Sequence, residues 1–354
     1  REGAFYGCSS LTSITIPFVG ESLTKTNNTH FGYIFGASTY SGNSSYVPSS
    51  LKEVVILGGE IIEEDAFYGC SSLTSITIPN SVKSIGASAF SACYKLIEIY
   101  NLSSLNIVKG STGNGYVGYY AKVIHTAIEE SNLIEKDNYI YFKDAENKYY
   151  LVEYKGTDTE LVLPNDIEGN TYEINQYAFE NCSYLTSITI PESVTSIGSS
   201  AFENCSYLTS ITIPESVTSI GSSAFAFCSN LKSIIIPSSV TSIEALTFYG
   251  CLRLESVTIP NSVTIIKEHA FNNCNSLESI TIPNSVTFIE PFAFSNCQTL
   301  KEVYYKGTSS EWSNMPIGTG NSRLIDATLY YYSNTQPTEE GNYWHYVDDV
   351  ITMW

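Results

Sequence analysis

A 23-residue repeat marked by cysteine constrains this sequence more than any other feature. Between residues 178 and 300, cysteines recur at a fixed interval of 23 residues: Cys182, Cys205, Cys228, Cys251, Cys274 and Cys297. A period of this length is typical of solenoids, in which each repeat forms one coil and its apolar side is buried only by the neighbouring coils. We therefore expect stacked coils in place of ordinary globular domains.

Every repeat carries the same apolar pattern after its cysteine. The first regular copy shows it in the residues that follow Cys182: Leu185, Ile188, Ile190, Pro191, Val194 and Ile197. The short β-branched run that ends at Pro191 predicts a strand in which Ile188 and Ile190 point inward. A proline has no backbone donor, so it suits the end of a strand where the chain turns.

Further copies of this unit lie nearer the start of the chain. They are recognised by the Ala-Phe pairs that precede Cys8, Cys70 and Cys93. The combined motif, AFxxCxxLxxIxIPxSVxxIGxxAF, resembles the BspA-like leucine-rich-repeat family, a class found on surface proteins of host-associated bacteria and of some parasitic protists. Local departures are Thr247 in place of the alanine and Asn101 in place of a strand isoleucine. The resemblance implies a β-rich leucine-rich-repeat solenoid.

The predicted fold is a parallel strand ladder with one short strand or two per coil. Interruptions of the pattern divide the chain into four predicted regions: N-terminal repeats (1–100) with a loop insertion at 18–47, a β-rich insertion or diverged coils (101–177), regular repeats (178–300) and an aromatic C-terminal cap (301–354). All three tryptophans lie in the last region. They suit a cap that covers the open end of a solenoid, with an aromatic sugar platform as the alternative.

The region from 101 to 177 lacks the repeat motif and is interpreted separately. We expect a short helix around Gly118 to His125, and a β-hairpin formed by residues 139–143 and 149–154. The segment from Leu161 to Pro164 resembles the strand and proline of a repeat. These features predict a small β-rich module between the two sets of coils.

The charge of the chain limits its partners. Seventeen Lys and Arg face 36 Asp and Glu, for a net charge of −19. Such a surface repels nucleic acid and anionic lipid, so neither is expected as a partner.

No run of the sequence approaches the ~18 apolar residues that a membrane helix needs. The chain begins at Arg1, inside a repeat, and we expect it to be a fragment of a longer protein with an extracellular or cell-surface location.

The nine cysteines occupy one repeat position, so the fold predicts a single stacked column. Adjacent coils lie about 4.8 Å apart, but parallel Cα–Cβ vectors disfavour the geometry of a disulfide. Free cysteine is among the most buried residue types. We expect nine reduced, solvent-inaccessible thiols, and no zinc or redox site, because no Cys-x-x-Cys or Cys/His ligand spacing is present.

Catalytic motifs are missing from the sequence. Four isolated histidines, His30, His125, His269 and His345, belong to no nucleophile, metal or acid-base motif. The acidic cluster from Glu60 to Asp65 offers oxygen ligands for calcium, but it lacks the alternating acidic loop of a dedicated site, and a solvated corner is the favoured interpretation. We expect no enzymatic activity, no cofactor and no bound metal.

Outward positions of the predicted strands supply the candidate binding surface. Serine and threonine recur there, and one column varies from coil to coil: Thr186, Thr209, Lys232, Glu255, Glu278 and Lys301. Solenoids use such surfaces for extended recognition. We expect a monomeric module that binds host or neighbouring-cell surface proteins or glycans in adhesion. The alternative is a structural spacer that displays another domain. Ice binding is disfavoured because Ile235, Glu255 and Glu278 interrupt the hydroxyl rows.

Overall fold

The computed structural model describes residues 1–23, 27–338, 340–348 and 350–354. The chain forms two compact units. Unit 1 comprises Arg1–Ile134 with Asp144–Glu146, and unit 2 comprises Glu135–Lys143 with Asn147–Trp354. Each unit is built from stacked coils whose strands pair with the equivalent strands of the coils before and after them.

Unit 1 contains seven strands: β1 (Ser13–Ile16), β2 (Glu53–Ile56), β3 (Ile61–Ile62), β4 (Ser75–Ile78), β5 (Ser84–Ile85), β6 (Glu98–Asn101) and β7 (Val123–His125). Its helical segments are the 3-10 turns Phe31–Phe35 and Tyr40–Gly42 and the short helix α1 (Asn43–Tyr46). Strands β1, β2, β4, β6 and β7 form one parallel sheet, and β3 pairs with β5 in a second. The next strand, β8 (Leu133–Lys136), spans the boundary between the units.

The remaining strands belong to unit 2. In chain order they are β9 (Tyr139–Lys143), β10 (Tyr149–Tyr154), β11 (Glu160–Val162), β12 (Tyr172–Ile174), β13 (Ser187–Thr189), β14 (Val194–Ile197), β15 (Ser210–Thr212), β16 (Ser233–Ile235), β17 (Ser242–Ile243), β18 (Ser256–Thr258), β19 (Ile265–Ile266), β20 (Ser279–Ile282), β21 (Phe288–Ile289), β22 (Glu302–Tyr305), β23 (Thr328–Tyr332), β24 (Tyr343–Val347) and β25 (Val350–Met353). Two short helices, α2 (Ser309–Asn314) and α3 (Ser322–Ile325), precede β23.

Register in these sheets follows the repeat, so equivalent apolar residues form columns. In unit 1 one column runs through five coils: Ile14, Val54, Ile76, Ile99 and Ile124. Because a shift of one residue would turn these side chains to the solvent, their burial fixes the register. The predicted fold class, a parallel strand ladder with one or two short strands in each coil, is confirmed.

Phenylalanine and cysteine form two further interior columns. The rings of the Ala-Phe pairs stack with centroids 4.9 Å apart for Phe179 and Phe202 and 5.1 Å apart for Phe271 and Phe294. Six of the buried thiols donate to a backbone carbonyl of the preceding coil, as Cys228 Sγ does to Phe202 O at 3.2 Å. The cysteine column therefore connects consecutive coils by hydrogen bonds as well as by packing.

Eight of the nine cysteines are buried and free, but Cys8 is exposed. The prediction that all nine thiols are inaccessible is therefore wrong for Cys8. The residues on either side of Cys8 are exposed as well, whereas the other eight thiols lie in the interior of their coils.

Two residues in each coil adopt left-handed backbone conformations, one five residues before the cysteine and one immediately before it. The first set is Gly3, Asp65, Ser88, Tyr177, Ser200, Ser223, Leu246, His269 and Phe292. The second set is Gly7, Gly69, Ala92, Asn181, Asn204, Phe227, Gly250, Asn273 and Asn296. Each pair brackets the Ala-Phe segment, so it bends the chain on both sides of the buried ring. Glycine and asparagine adopt this conformation most easily.

The insertion after β1 supplies part of a coil. Phe31 stacks on Phe67 at 4.8 Å, and Phe35 lies 6.0 Å from Phe5, so the two rings continue the phenylalanine column. The buried side chain of Asn43 accepts from Gly32 N–H and donates to Ala66 O, which ties the insertion to the next coil. Because the insertion is rich in turn residues, its packing role is not apparent from the sequence.

The predicted helix around Gly118 to His125 is wrong, because Val123–His125 forms strand β7 parallel to β6. The partly buried Ile124 pairs with Ile99 and packs against the core of unit 1, and this packing decides in favour of the strand. The predicted hairpin is confirmed: β9 and β10 pair antiparallel, and β10 then pairs in parallel with β12.

Strands β22 to β25 complete the sheet at the C-terminal end of unit 2. Trp344 is fully buried there, and its indole N–H donates to Tyr305 O at 3.2 Å. Helix α2 begins with a capping box in which Thr308 and Glu311 exchange hydrogen bonds, so this segment starts at a defined residue. These elements lie in the region that the sequence predicts to be an aromatic cap.

Candidate binding surface

The outward face of the unit 2 strands is a regular hydroxyl surface. In β13 the side chain of Ile188 is buried, while Thr189 is exposed. Parallel pairing places Ser187 beside Ser210 and Thr189 beside Thr212, so a serine column and a threonine column run side by side. Because strand side chains alternate between the two sides, this face is available to a partner while the isoleucines form the core.

The predicted variable column lies one residue before these strands. Its backbone groups connect the coils: Thr209 N–H donates to Thr186 O at 2.9 Å, and Glu255 N–H donates to Lys232 O at 2.8 Å. The hydroxyls of Thr186 and Thr209 donate to carbonyls of the preceding coil. In these two coils the column side chain is therefore used within the fold.

In the next four coils the same column carries charged side chains that are all exposed: Lys232, Glu255, Glu278 and Lys301. Successive coils thus present one positive, two negative and one positive charge. Lys301 Nζ lies 3.8 Å from Glu278 Oε2, and both side chains are 71% exposed, so water screens this pair. The column offers a fixed charge pattern on a face that consists mostly of hydroxyl side chains.

An exposed isoleucine interrupts the threonine column. Ile235 in β16 is 67% exposed, and the paired position in β18 is Thr258. A single exposed apolar side chain is ordinary on a protein surface. Here it marks the coil in which the charged part of the column begins, because Lys232 is in the same coil.

A buried carboxylate in unit 1 was not identified from the sequence. Glu98 occupies a repeat position that carries serine in most coils, and it is fully buried. It accepts from Ser131 Oγ–H at 2.6 Å and from Asn132 N–H at 2.8 Å, and His125 Nε2 lies 3.1 Å away. The sequence signal was a glutamate at a repeat position that carries serine in most coils.

Two rings complete this cluster. Tyr100 stacks on His125 with centroids 4.6 Å apart, and burial together with the charge of Glu98 raises the pKa of Tyr100 to about 12. The second imidazole nitrogen of His125 lies 3.3 Å from a carboxylate oxygen of Glu129. The cluster holds the segment 126–132 on the outward face of the sheet, where it covers β6 and β7.

The remaining histidines contact groups that stabilise the fold. His30 Nε2 lies 3.0 Å from Ala37 O, His269 Nδ1 lies 2.7 Å from Asn272 Nδ2, and the ring of His345 stacks on Trp354. At the acidic corner, Glu60 forms an exposed ion pair with Lys83 at 2.6 Å. Among the described residues, no group of three or more His, Cys, Asp or Glu is arranged to hold a metal ion.

No helix in the described part of the chain has the length and apolar character needed to cross a membrane. The family model for the BspA type leucine rich repeat region matches six copies, at residues 39–112, 158–277 and 241–315, which together cover more than half of the chain. No curated protein matches the sequence.

Several solved structures are similar. A leucine-rich repeat protein from Eubacterium ventriosum is 23% identical, with a TM-score of 0.50, over 93% of this chain and 91% of that one. A leucine rich repeat protein of T. pallidum is 29% identical, with a TM-score of 0.47, over 52% and 85%. A leucine rich cell surface protein from Faecalibacterium prausnitzii is 26% identical, with a TM-score of 0.44, over 86% and 82%.

Proposed function

The chain belongs to the BspA-type leucine-rich repeat family, and from this premise we propose that it is an extracellular or cell-surface module that binds proteins in adhesion. The observation that carries the proposal is the charged column on the strand face of unit 2. Backbone N–H groups of the column donate to the carbonyl of the preceding column residue at Thr209, Lys232, Glu255 and Lys301, while the side chains change from threonine to lysine and glutamate. Variation confined to exposed positions of a rigid ladder suits recognition, because the scaffold presents each side chain at a fixed spacing.

The proposed partner is a protein or glycan of a host or a neighbouring cell. Electrostatic complementarity across an interface determines which partners fit and how quickly they associate. The column presents charges in the order positive, negative, negative, positive, and a partner with the opposite order matches it. We expect the module to act as a monomer and without enzymatic activity.

A charge-swap variant tests this proposal. The variant K232E/E255K/E278K/K301E reverses the column and keeps the net charge at −19. Binding is measured by surface plasmon resonance against immobilised extracellular-matrix proteins, mucins and glycans. We expect the unaltered chain to bind one class saturably, and the variant to bind it at least about tenfold more weakly.

The matched control is E192K/R323E, which exchanges two exposed charges outside the column and also keeps the net charge. Retained binding by this control, with loss in the charge-swap variant, supports the proposal. Equal binding by all three proteins moves the site away from the strand face. If the unaltered chain binds nothing on the panel, the spacer function replaces binding as the better account of this chain.

A further inference from the structure

Four aromatic side chains from consecutive coils of unit 2 form a continuous row, which we call the aromatic row: Phe227, Tyr249, His269 and Phe292. Phe227 meets Tyr249 edge to face with ring centroids 5.1 Å apart, and Tyr249 meets His269 edge to face at 6.5 Å. His269 stacks on Phe292 at 5.1 Å. The row lies on the turns that bracket the Ala-Phe segments, so it is separate from the charged column.

Three members of the row adopt left-handed backbone conformations, with φ of 60° at Phe227, 57° at His269 and 59° at Phe292. A side chain in this conformation costs roughly 1–2 kcal/mol relative to an ordinary one. Other coils reduce the cost by carrying asparagine, glycine or serine at the same two positions, as at Asn204, Gly250 and Ser200. The aromatic residues therefore occupy positions that carry small or polar residues in most other coils.

The same two turns form without aromatic rings in the preceding coil, which carries Ser200 and Asn204 at these positions. Phe227 lies over Gly250 and Phe292 lies over Gly320, so each ring contacts a glycine of the following segment. Phe227 and Phe292 nevertheless remain 43% and 40% exposed. Strained, partly exposed aromatic residues at positions where the preceding coil has small polar ones indicate a function at the surface.

The charges beside the row are negative. Glu268 Oε1 lies 3.5 Å from His269 Nε2, and the carboxylate of Glu290 accepts from Glu268 N–H at 2.8 Å. Lys267, the basic residue of the same turn, is paired with Glu244 at 2.7 Å. With a net charge of −19, the protein attracts cationic partners over a long range. Aromatic rings next to carboxylates suit the binding of lysine and arginine side chains.

We propose that the aromatic row is a docking surface for a basic protein segment, rich in lysine or arginine. The carboxylates of Glu268 and Glu290 pair with the cationic groups, and the exposed edges and faces of Phe227, Tyr249 and Phe292 contact their aliphatic stems. This surface is independent of the charged column, so the two proposals fail separately.

The test uses substitutions that other coils already carry. The variant F227N/F292S keeps the net charge and places at each position a residue found at the equivalent position in another coil: Asn204 and Ser200. The probe is a fluorescent peptide of alternating lysine and alanine, titrated by anisotropy, and thermal unfolding is measured in parallel. We expect affinity to fall about tenfold or more, with an unfolding temperature equal to or above that of the unaltered chain.

The matched control is I235T, which removes an exposed apolar side chain from the strand face and also introduces the residue of the equivalent positions. It should bind the peptide like the unaltered chain. Unchanged affinity in F227N/F292S overturns the proposal. A lowered unfolding temperature in F227N/F292S also overturns it, because the rings would then be needed for the fold. Binding of neutral glycans in place of the basic peptide, lost in the same variant, would assign the row to sugars instead.

Discussion

Left-handed residues recur twice in each coil, and their identity determines how much strain each turn holds. Glycine relieves the strain because it lacks a Cβ atom, and asparagine is the best tolerated of the other residues. Gly69 and Gly250 occupy the position immediately before the cysteine, whereas Ala92 occupies it with φ of 59°. A methyl group at Ala92 thus strains the backbone and adds no polar contact that would compensate.

Replacing Ala92 by glycine should therefore stabilise unit 1. We expect a gain of about 0.5–1 kcal/mol, because relief of the left-handed conformation exceeds the entropy that glycine loses on folding. The measurement is a denaturant titration of the unaltered chain and of A92G. The matched control is A226G at a buried position without a left-handed backbone, which should destabilise unit 2 by about 1–2 kcal/mol. A loss of stability in A92G similar to that in A226G would contradict the strain argument.

At the scale of elements, the strands and turns of the regular repeats are predictable from the sequence, whereas segments that depart from the repeat pattern are not. Ile188 and Pro191 belong to a pattern repeated many times, so strand and turn are both evident. Ile124 occupies the strand position equivalent to Ile99 in unit 1, but no cysteine precedes it at the usual interval, and the sequence predicts a helix there. Phe31 and Phe35 continue the phenylalanine column from inside a turn-rich loop, where no local pattern indicates burial.

The candidate site was predictable to the same extent. The charged column follows from the repeat register, because Lys232 and Glu255 vary at a fixed outward position. The aromatic row joins three different repeat positions: Phe227 lies one residue before its cysteine, Tyr249 lies two residues before Cys251, and His269 and Phe292 lie five residues before theirs. Only the three-dimensional turn brings these positions into one line. In the sequence, the row shows only as aromatic residues at positions where most coils carry small or polar ones. The sequence does not reveal that the backbone is strained at these positions.

The buried carboxylate of Glu98 anchors the segment 126–132 to the sheet of unit 1, and its charge is essential to that contact. In E98Q the amide group faces Ser131 and Asn132, which both donate, so one donor loses its acceptor. We expect the contact between residue 98 and the segment 126–132 to be weakened by about 2–3 kcal/mol, and protease cleavage within 126–132 to increase. Hydrogen exchange of the Asn132 amide measures the release directly.

The matched control for this change is E302Q. Glu302 occupies the same repeat position in unit 2, but it is half-buried and accepts from Tyr304 O–H at 2.7 Å. This substitution should change the exchange of neighbouring amides much less than E98Q changes that of Asn132. Equal effects of E98Q and E302Q would show that the segment 126–132 does not depend on the buried charge.

At the scale of the whole molecule, the thiol column links stability to alkaline pH. Burial raises the pKa of seven thiols above their ordinary value of 9.0: Cys70, Cys93, Cys205, Cys228, Cys251, Cys274 and Cys297. For Cys297 the pKa rises to about 12. Burial likewise raises the pKa of Tyr139 and Tyr154 to about 12. The folded protein therefore keeps protons that the unfolded chain releases.

This difference predicts a loss of stability above pH 9. The unfolded chain binds fewer protons than the folded one between the ordinary thiol pKa of 9.0 and the raised values, so the free energy of unfolding falls as pH rises through this window. Below pH 9 both states are protonated and the full contribution is present. Each buried thiol contributes a slope of about 1.4 kcal/mol per pH unit, so seven acting together should produce a steep alkaline transition.

Urea titrations between pH 7 and pH 11, under reducing conditions, measure this slope. In C228A one titrating thiol is removed, and the slope above pH 9 should fall by about 1.4 kcal/mol per pH unit, even though the loss of the Phe202 hydrogen bond lowers stability at every pH. In C8A, which removes an exposed thiol outside the buried column, the slope should not change. A free energy of unfolding that stays constant up to pH 11 would show that the buried column does not govern alkaline stability.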